Sequence, residues 1–416
     1  MAARSVVIVG AGQAGSETAA ALRSRGFDGR ITLVGEEPWL PYQRPPLSKA
    51  YQTGTVGQEE LELRPASFYS DQRIELLRGD RAVKIDRELC TLLLDSGRTL
   101  PYDTLVLATG ARPRALPVPG AQRPGVLVLR GLDDAEALRQ QLAGAERPLQ
   151  VVVVGAGFIG LEVAATAREL GHCPTVVEAL PRVLARAVSP VMSDWLAAEH
   201  RSRGTELLLR REVVALHGAG TGDGPVQVVE LDGGTRLPAD LVVVGIGVLP
   251  NVGLAVEAGL NVGDGVLVDE QLRTSDPAIH AVGDCARFPS VHAGRPLRLE
   301  SVQNASDQAR TVAAVICGEP APYRALPWFW SQQFTLRLQI AGITAGHDEA
   351  VTAGDPEQGR FSVFCFRRGR LVGVESVNRP ADHGIARRLL TAGPDLTPEE
   401  VAAPGFDLKN RTAQPV

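Results

Sequence analysis

Two glycine-rich loops, each framed by the same elements, constrain the fold of this chain more than any other feature. The first unit, SVVIVGAGQAGSETAAALRSRGFDGRITLVGEE, has a β-branched strand, a turn, an alanine-rich helix and a second strand ending in Glu36 and Glu37. The second unit, LQVVVVGAGFIGLEVAATARELGHCPTVVEALPRVLAR, repeats that order and ends its second strand in Glu178. This combination of strand, glycine loop, helix, strand and terminal acid is the unit that binds a dinucleotide.

The glycines of each loop have separate physical tasks. In the first loop Gly10 makes a tight turn, Gly12 lets the backbone approach a pyrophosphate, and Gly15 lets helix and strand pack closely. The second loop carries the equivalent residues Gly155, Gly157 and Gly160. We therefore expect two bound dinucleotides. The alternative is a duplication in which one copy has become scaffold.

The acid of the second unit bears on the choice of nicotinamide cofactor. Glu178 suits a ribose 2′-hydroxyl and would repel a 2′-phosphate, whereas Arg182, four residues later, argues for the phosphate. Because the acid ends the strand where the ribose should lie, we expect NADH.

Composition excludes several classes of function. The 416 residues are 44% hydrophobic and 22% charged with a net charge of −5, which gives no reason to expect nucleic acid or a lipid surface as partner. The start, MAARSVVIVG, lacks the features of a signal peptide, and the longest apolar run contains Gln150 and Glu162. The five cysteines are scattered and the seven histidines show no ligand spacing, so we expect a cytoplasmic protein without a metal site.

Several further stretches carry a resemblance to a known family. TLVLATGARPR and TSDPAIHAVGDCARF each contain a buried strand that ends in a glycine turn. Together with RPPLSK, LPADLVVVGIGVLPN, LESVQNASDQAR and PWFWSQQF, they resemble, in order and over nearly the whole chain, the FAD-dependent NADH:ferredoxin reductases of bacterial oxygenase systems. Putidaredoxin reductase and the reductases of aromatic-ring dioxygenases belong to this group.

The resemblance implies an α/β fold with two Rossmann-like dinucleotide-binding domains, as in glutathione reductase, and a C-terminal α+β domain. The FAD domain would be discontinuous, covering 1–114 and 247–323, with the NADH domain at 115–246 and the last domain at 324–416. The alternation in TLRLQIAGIT and RFSVFCFRRGRLVGVESVN predicts antiparallel strands, followed by a helix from about Ala381 to Leu390.

The resemblance also implies the cofactor contacts. Asp284 would accept from the ribityl hydroxyls of FAD, although it could be an ordinary turn residue, and Ser301 would cap a helix whose positive end at Val302 faces the flavin. The implied FAD residues are Gly10, Gly12, Ala14, Gly15, Glu36, Lys49, Val83, Ala108, Gly110, Arg130, Asp284, Val302 and Trp330. The implied NADH residues are Gly155, Gly157, Ile159, Gly160, Glu178 and Gly247.

The stretch RPPLSK would lie along the flavin ring. Its two prolines, Pro45 and Pro46, fix φ and donate no N–H, so they suit a stiff, dry wall and exclude a regular helix or strand. Lys49 would reach the flavin edge and, as a buried ammonium, would need a partner, for which the family suggests Glu162. The alternatives are a solvated loop lysine and a helix-surface carboxylate.

The same stretch lacks a cysteine. Relatives that reduce disulfides or peroxides carry one or two cysteines near this part of the first domain, where this sequence reads Pro41, Tyr42, Gln43 and Arg44. Without a thiolate to carry electrons onward, electrons must leave the flavin directly. Trp330 is the predicted lining of that exit, although dense aromatic residues usually form core.

The resemblance implies that hydride passes from NADH to FAD and that single electrons then pass to two molecules of a [2Fe–2S] ferredoxin. The predicted catalytic residues are Lys49, Glu162, Pro45 and Trp330. An acidic ferredoxin would dock on a local basic patch, for which the candidates are Arg310, Arg387 and Arg388. The alternatives are a reductase of rubredoxin, quinone or another one-electron acceptor, and a slow NADH-sensing flavoprotein resembling apoptosis-inducing factor.

Overall fold

The computed structural model describes residues 4–218, 224–393 and 395–413, which form two compact units. The first unit comprises the chain up to Gln43, Gln58–Arg112 and Leu249–Pro327. The second comprises Arg44–Gly57, Pro113–Val248 and the chain from Trp328 onward. Both units are therefore discontinuous in sequence. No helix of the described ranges is long and apolar enough to cross a lipid bilayer.

The first unit is built on a parallel sheet. Its strands, in spatial order, are Ile279–Ala281, Thr104–Leu107, Ser5–Val9, Arg30–Gly35 and Ile74–Arg78. The β-branched run that begins at Ser5 forms a central strand because both of its faces are covered, as parallel sheets require. The first glycine loop leaves the carboxyl end of that strand and leads into the helix Gln13–Ser24.

Smaller elements complete the first unit. A three-stranded antiparallel sheet contains Ala82–Asp86, Thr91–Leu94 and Thr99–Pro101. A four-stranded sheet contains Val262–Gly263, Gly265–Leu267, Ala286–Ser290 and Arg295–Leu297. Besides Gln13–Ser24, this unit contains the helices Ala66–Asp71, Gly253–Glu257 and Val302–Ile316. It also contains 3₁₀ turns at Glu59–Leu61 and Gly283–Cys285. The short strands Ala111–Pro113 and Val248–Pro250 contain two of the places where the chain changes units.

The second unit contains a parallel sheet of the same kind. Its order is Glu206–Leu209, Cys173–Glu178, Gln150–Val154, Leu241–Val244 and Val126–Val128. The helices of this part are Leu132–Ala143, Phe158–Glu169 and Pro190–Ser202. A three-stranded antiparallel sheet contains Val213–Gly218, Val226–Leu231 and Arg236–Pro238, and a 3₁₀ turn lies at Asp232–Gly234. The second glycine loop again follows the central strand.

The last part of the chain forms a five-stranded antiparallel sheet. Its order is Trp328–Gln333, Leu336–Gly342, Arg370–Val377, Arg360–Arg367 and Glu349–Asp355. The predicted helix is present as Pro380–Ala392, followed by Pro398–Ala402 and a 3₁₀ turn at Leu408–Ala413. Buried phenylalanines at 361, 364 and 366 fill both faces of the sheet. The predicted fold class is confirmed, including the antiparallel C-terminal sheet.

The compact units do not coincide with the three domains expected from sequence. The segment Arg44–Gly57 groups with the second unit, although the sequence-based division places it in the FAD domain. The NADH domain and the C-terminal sheet share the second unit. The boundaries at 114, 247 and 324 stay a prediction.

Candidate functional site

The first glycine loop is closed so tightly that only glycine fits at two of its positions. Gly10 has φ +111°, and a Cβ there would lie 2.1 Å from the carbonyl oxygen of Ala108. A Cβ on Gly15 would lie 1.8 Å from the carbonyl oxygen of Gly10. The predicted turn and the predicted close packing of helix and strand are therefore both present.

The N-terminus of the helix that follows is open. Gly12 is its N-cap residue, no side chain caps it, and the first turn contains no acidic residue. A Cβ on Gly12 would meet no atom of the described residues within 4 Å. Uncapped backbone N–H groups at the positive end of a helix beside open space fit a pyrophosphate, so this site suits a dinucleotide.

The second loop reproduces this geometry. Gly155 has φ +104°, and a Cβ there would lie 2.5 Å from the carbonyl oxygen of Gly245. A Cβ on Gly160 would lie 2.0 Å from the carbonyl oxygen of Gly155. Gly157 is an N-cap residue without a side-chain cap, whereas Ser189 caps the helix Pro190–Ser202 with its hydroxyl. The second loop therefore also fits a pyrophosphate, and neither copy has lost its geometry.

Both acids stand at the ends of their strands. Glu36 is exposed directly after the strand Arg30–Gly35. Glu178 ends its strand, and its carboxylate accepts hydrogen bonds from the backbone N–H groups of Ala156 at 2.7 Å and Leu180 at 2.8 Å. These bonds hold a negative charge beside the second loop, at the place where a ribose is expected.

The side chain of Arg182 is bound within its own loop. Its guanidinium donates to the carbonyl oxygens of Val188 at 2.9 Å and Ala185 at 2.7 Å. The side chain therefore holds its own loop together. Arg182 therefore gives no support to a 2′-phosphate site, although its place in the sequence allowed one.

Other predicted FAD residues lie together in the first unit. A Cβ on Gly283 would lie 3.0 Å from the Cβ of Ala14, which joins the glycine–aspartate turn to the first loop. Asp284 is half-buried in that turn. Ser301 caps the helix Val302–Ile316 as predicted, by accepting from the backbone N–H of Asn304 at 3.1 Å.

The remaining predicted nucleotide residues are more scattered. Val83 is half-buried in the strand Ala82–Asp86, Gly110 has φ +64°, and Gly247 has φ +99° beside open space. Ile159 is 43% exposed in the first turn of its helix. Arg130 belongs to the second unit, where its carbonyl oxygen accepts from Arg44 at 2.6 Å. Its predicted place at the diphosphate of FAD stays a prediction.

The stretch RPPLSK forms a 3₁₀ turn, Pro45–Ser48, that ends at Lys49. The lysine Nζ lies 2.6 Å from Oε2 of Glu162, so the expected ion pair is present. The two side chains are 19% and 3% exposed, which excludes both a solvated loop lysine and a helix-surface carboxylate. Ser48 donates to the same carboxylate oxygen at 2.5 Å.

Two serine partners of this pair, Ser48 and Ser331, were not predicted from the sequence. Ser331, in the strand Trp328–Gln333, donates to the other carboxylate oxygen, Oε1 of Glu162, at 2.7 Å. The serine lies within PWFWSQQF, but it is 169 positions from Glu162, and no spacing rule connects the two. Only the buried polar position beside Trp330, in a strand of aromatic residues, could have drawn attention to it.

The aromatic part of the same strand reaches the basic helix Pro380–Ala392. Trp330 is half-buried and lies 5.6 Å, centroid to centroid, from Trp328. The guanidinium of Arg387 lies over the Trp328 ring at 4.6 Å, and Arg388 is exposed next to it in sequence. The predicted exit residue and two of the predicted docking residues therefore belong to one neighbourhood of the second unit.

Arg310, in contrast, is already engaged. Its guanidinium contacts Glu17 at 3.1 Å and Asp307 at 2.9 Å, and its side chain is 56% exposed. These two carboxylates, of which Glu17 also pairs with Arg64 at 2.9 Å, reduce the positive field that Arg310 would present to an acidic partner. Its rank as the best-placed docking residue, which sequence reasoning assigned, has no support from this geometry.

Residues 4–309 match the pyridine nucleotide-disulphide oxidoreductase family, and residues 328–412 match the reductase C-terminal family. The chain belongs to the pyridine nucleotide-disulphide oxidoreductases. It is 51% identical to rhodocoxin reductase of Rhodococcus erythropolis over 97% of this chain and 93% of the relative. It is 43% identical to putidaredoxin reductase of Pseudomonas putida over 93% of this chain and 91% of the relative.

Solved structures agree with these relatives. The ferredoxin reductase for the CYP199A2 system from Rhodopseudomonas palustris matches with a TM-score of 0.95 and 50% identity, over 99% of this chain and 100% of that chain. The covalent putidaredoxin reductase–putidaredoxin complex matches with a TM-score of 0.94 and 41% identity, over 99% of each chain. This family member is thus an oxidoreductase of the ferredoxin reductase type, with FAD and NAD(P)H as cofactors.

This family member lacks the disulphide that the family name refers to. None of its five cysteines lies between Pro41 and Arg44, where Tyr42 instead donates to Glu37 at 2.5 Å. All five thiols are free, and burial raises the pKa of Cys285 and Cys365, so neither is a ready nucleophile.

Proposed function

We propose that this chain takes hydride from NADH onto FAD and delivers single electrons to a [2Fe–2S] ferredoxin. The ferredoxin would supply an oxygenase, either a haem-thiolate monooxygenase or a ring-hydroxylating dioxygenase. The similarity to ferredoxin reductases over nearly the whole chain, including the C-terminal domain, carries the proposal. FAD supplies the conversion of one hydride step into two single-electron steps.

The chain would contribute positioning and electrostatics at the flavin. Lys49 donates to Glu162 at 2.6 Å and to Ser48 at 3.4 Å, which leaves one N–H group to stabilise negative charge arriving on a ring beside Pro45. The helix Val302–Ile316 has no acidic residue in its first turn, so its positive end would stabilise the same charge. Trp330 would line the route by which electrons leave.

Two sets of residues would hold the dinucleotides. The FAD set is Gly10, Gly12, Ala14, Gly15, Glu36, Lys49, Val83, Ala108, Gly110, Arg130, Asp284, Val302 and Trp330. The NADH set is Gly155, Gly157, Ile159, Gly160, Glu178 and Gly247. The open helix N-termini at Gly12 and Gly157 support the pyrophosphate sites.

NADH should be preferred over NADPH. The carboxylate of Glu178 is fixed beside the second loop, and Arg182 is bound to carbonyl oxygens of its own loop. A 2′-phosphate would therefore meet a negative charge without the compensating arginine.

The acidic ferredoxin would dock against local positive charge, because the chain itself has a net charge of −5. We propose the surface of Arg387 and Arg388 as the principal contact. It adjoins Trp328 and Trp330, so a partner bound there would be close to the exit route. Arg310 would contribute less, because Glu17 and Asp307 already pair with it.

A rubredoxin reductase is the second candidate. Rubredoxin-NAD(+) reductases of Pseudomonas putida and Ectopseudomonas oleovorans are 39% and 38% identical to this chain. The FAD-loaded protein, supplied with NADH, should reduce a [2Fe–2S] ferredoxin faster than rubredoxin or a quinone. A higher kcat/KM for rubredoxin would replace the proposal with this candidate. Slow reduction of every acceptor would favour the NADH-sensing role.

The domain division and the location are also proposed. The FAD domain would comprise 1–114 and 247–323, the NADH domain 115–246, and the C-terminal domain 324–416. Five free cysteines suit a reducing cytoplasm. Fractionation of the producing cells should place the protein with the cytoplasmic markers.

A further inference from the structure

A row of hydrogen-bonded, buried side chains extends from Glu162 within the second unit. Beyond Ser331, whose hydroxyl donates to Glu162, the side-chain N–H of Gln333 lies 3.1 Å from that hydroxyl oxygen. The other end of the Gln333 amide, its Oε1, lies 2.9 Å from Nε2 of His200. Ser331, Gln333 and His200 are at most 2% exposed, so water does not compete for these bonds.

The chemistry of the four side chains fixes the donor and the acceptor of each of these hydrogen bonds. A carboxylate only accepts, so the single proton of Ser331 points to Glu162. The serine oxygen must then accept from Gln333, which turns the amide nitrogen toward Ser331 and the amide oxygen toward His200. That oxygen only accepts, so His200 carries its proton on Nε2.

The state of His200 agrees with this direction. Burial lowers the pKa of His200, so the ring is neutral at neutral pH and carries one proton. Within the described residues its Nδ1 has no hydrogen-bond partner, which leaves Nε2 as the nitrogen that uses the proton. All three hydrogen bonds therefore run in one direction, from His200 through Gln333 and Ser331 to the carboxylate of Glu162.

We propose that Ser331 is a positioning residue that the C-terminal sheet supplies to the Lys49–Glu162 pair, and that Gln333 and His200 fix the direction of its hydroxyl. Ser48 and Lys49 share one carboxylate oxygen and Ser331 holds the other, so the carboxylate cannot rotate. Lys49 is thereby held in one position. The proposal rests on the proposed role of this pair beside the flavin and assigns the C-terminal domain a part in flavin reduction, in addition to ferredoxin docking.

The same sheet provides a matched control. Ser362 is buried, and its hydroxyl donates at 2.9 Å to Asp382, a buried carboxylate that pairs with Arg379 at 2.9 Å. Ser362→Ala thus removes the same group, from the same sheet, beside the same kind of ion pair. It does so away from Glu162.

Rapid mixing of the FAD-loaded protein with NADH tests the role of the hydroxyl. Ser331→Ala should lower the limiting rate of flavin reduction about tenfold while the half-saturating NADH concentration changes less than twofold. Ser331→Thr, which restores the hydroxyl, should recover most of the rate, and Ser362→Ala should keep the wild-type rate. Equal losses in Ser331→Ala and Ser362→Ala would overturn the proposal, because a general loss of sheet stability would then explain both.

Nuclear magnetic resonance on the oxidised, FAD-loaded protein tests the direction independently of turnover. Selective ¹⁵N labelling of the seven histidines, with His200→Gln for assignment, should show His200 neutral and protonated on Nε2. A neutral ring with its proton on Nδ1 would make Nε2 an acceptor, reverse the Gln333 amide and take the Ser331 hydroxyl away from Glu162. That result overturns the proposal.

Reduction of ferredoxin and the role of Ser331 can be tested separately. If the wild-type protein reduces no ferredoxin but the histidine tautomer and the Ser331→Ala rate loss are as expected, the proposed function fails and this inference stands. If ferredoxin is reduced and Ser331→Ala reduces flavin at the wild-type rate, the inference alone is wrong.

Discussion

The ammonium of Lys49 lies 2.6 Å from Oε2 of Glu162, a carboxylate that is 3% exposed. Two serine hydroxyls complete the shell of this carboxylate, one from the proline-rich turn and one from the C-terminal sheet. Removing one member of a buried ion pair typically destabilises a protein by about 3–5 kcal/mol, because the remaining charge is uncompensated. A pair held in this way is suited to fixing the position of a charge beside a reacting group.

The coupling of this pair can be measured. Lys49→Met and Glu162→Gln should each slow reduction of bound FAD by NADH by about a hundredfold, the size expected when one electrostatic contact to developing charge is lost. The double variant should be no slower than the slower single variant, since both changes remove the same arrangement. Lys84→Met, a substitution of an exposed lysine, is the control. Additive losses in the double variant would show that the two residues act independently.

Nicotinamide preference depends on Glu178. Glu178→Ala should reduce the ratio of kcat/KM for NADH to that for NADPH about tenfold, mainly through the KM values, because the charge that repels the 2′-phosphate is gone. Glu206→Ala, in the neighbouring strand of the same sheet, should leave the ratio unchanged. A wild-type protein that uses both nucleotides equally would contradict the assignment of Glu178 to the ribose.

Arg310 can be tested by removing a carboxylate that pairs with it, which should strengthen ferredoxin binding. Glu17→Gln should release part of the positive charge of Arg310, and of Arg64, which pairs with the same carboxylate at 2.9 Å, and lower the KM for ferredoxin about twofold, while reduction of ferricyanide stays unchanged. Glu319→Gln, which removes the carboxylate that pairs with Arg25, measures the general effect of removing one negative charge. If both variants change the KM equally, Arg310 has no special part in docking.

Acid should destabilise the protein partly through His280. Burial lowers the pKa of this ring to about 4, whereas the unfolded chain binds a proton near pH 6.5. The neutral ring therefore contributes its full stability above pH 6.5, and the contribution, about 3 kcal/mol, is lost as the pH falls from 6.5 to 4. His280→Asn should make the thermal midpoint depend less on pH between pH 6.5 and 4. His217→Asn, which changes a ring 41% exposed, should keep the wild-type slope, and identical slopes in all three proteins would contradict the assignment.

Local rules predict the nucleotide-binding parts of the fold well. The glycine at position 10 must have positive φ, and the β-branched runs before each loop can only be buried strands, so both parallel sheets are readable from sequence. Ser301 as a helix cap is equally local, because the serine and the helix it caps are adjacent.

Several contacts between residues far apart in the sequence could not be predicted from the sequence. Ser331, in the C-terminal sheet, donates to Glu162, which lies in the helix Phe158–Glu169. Arg310 pairs with Glu17, 293 residues away, because their two helices pack together. The grouping of Arg44–Gly57 with the second unit depends on side chains such as Gln52, which donates to the carbonyl of Ala135. No periodicity or spacing encodes such pairs, because each depends on how separate elements pack.

The stoichiometry of electron delivery tests the central claim most directly. The FAD-loaded protein would be mixed anaerobically with a limiting amount of NADH and an excess of oxidised [2Fe–2S] ferredoxin, and reduced ferredoxin would be counted by its absorbance. The account predicts two ferredoxins reduced for each NADH, at a rate that supports turnover. Complete oxidation of NADH with no reduced ferredoxin would contradict it.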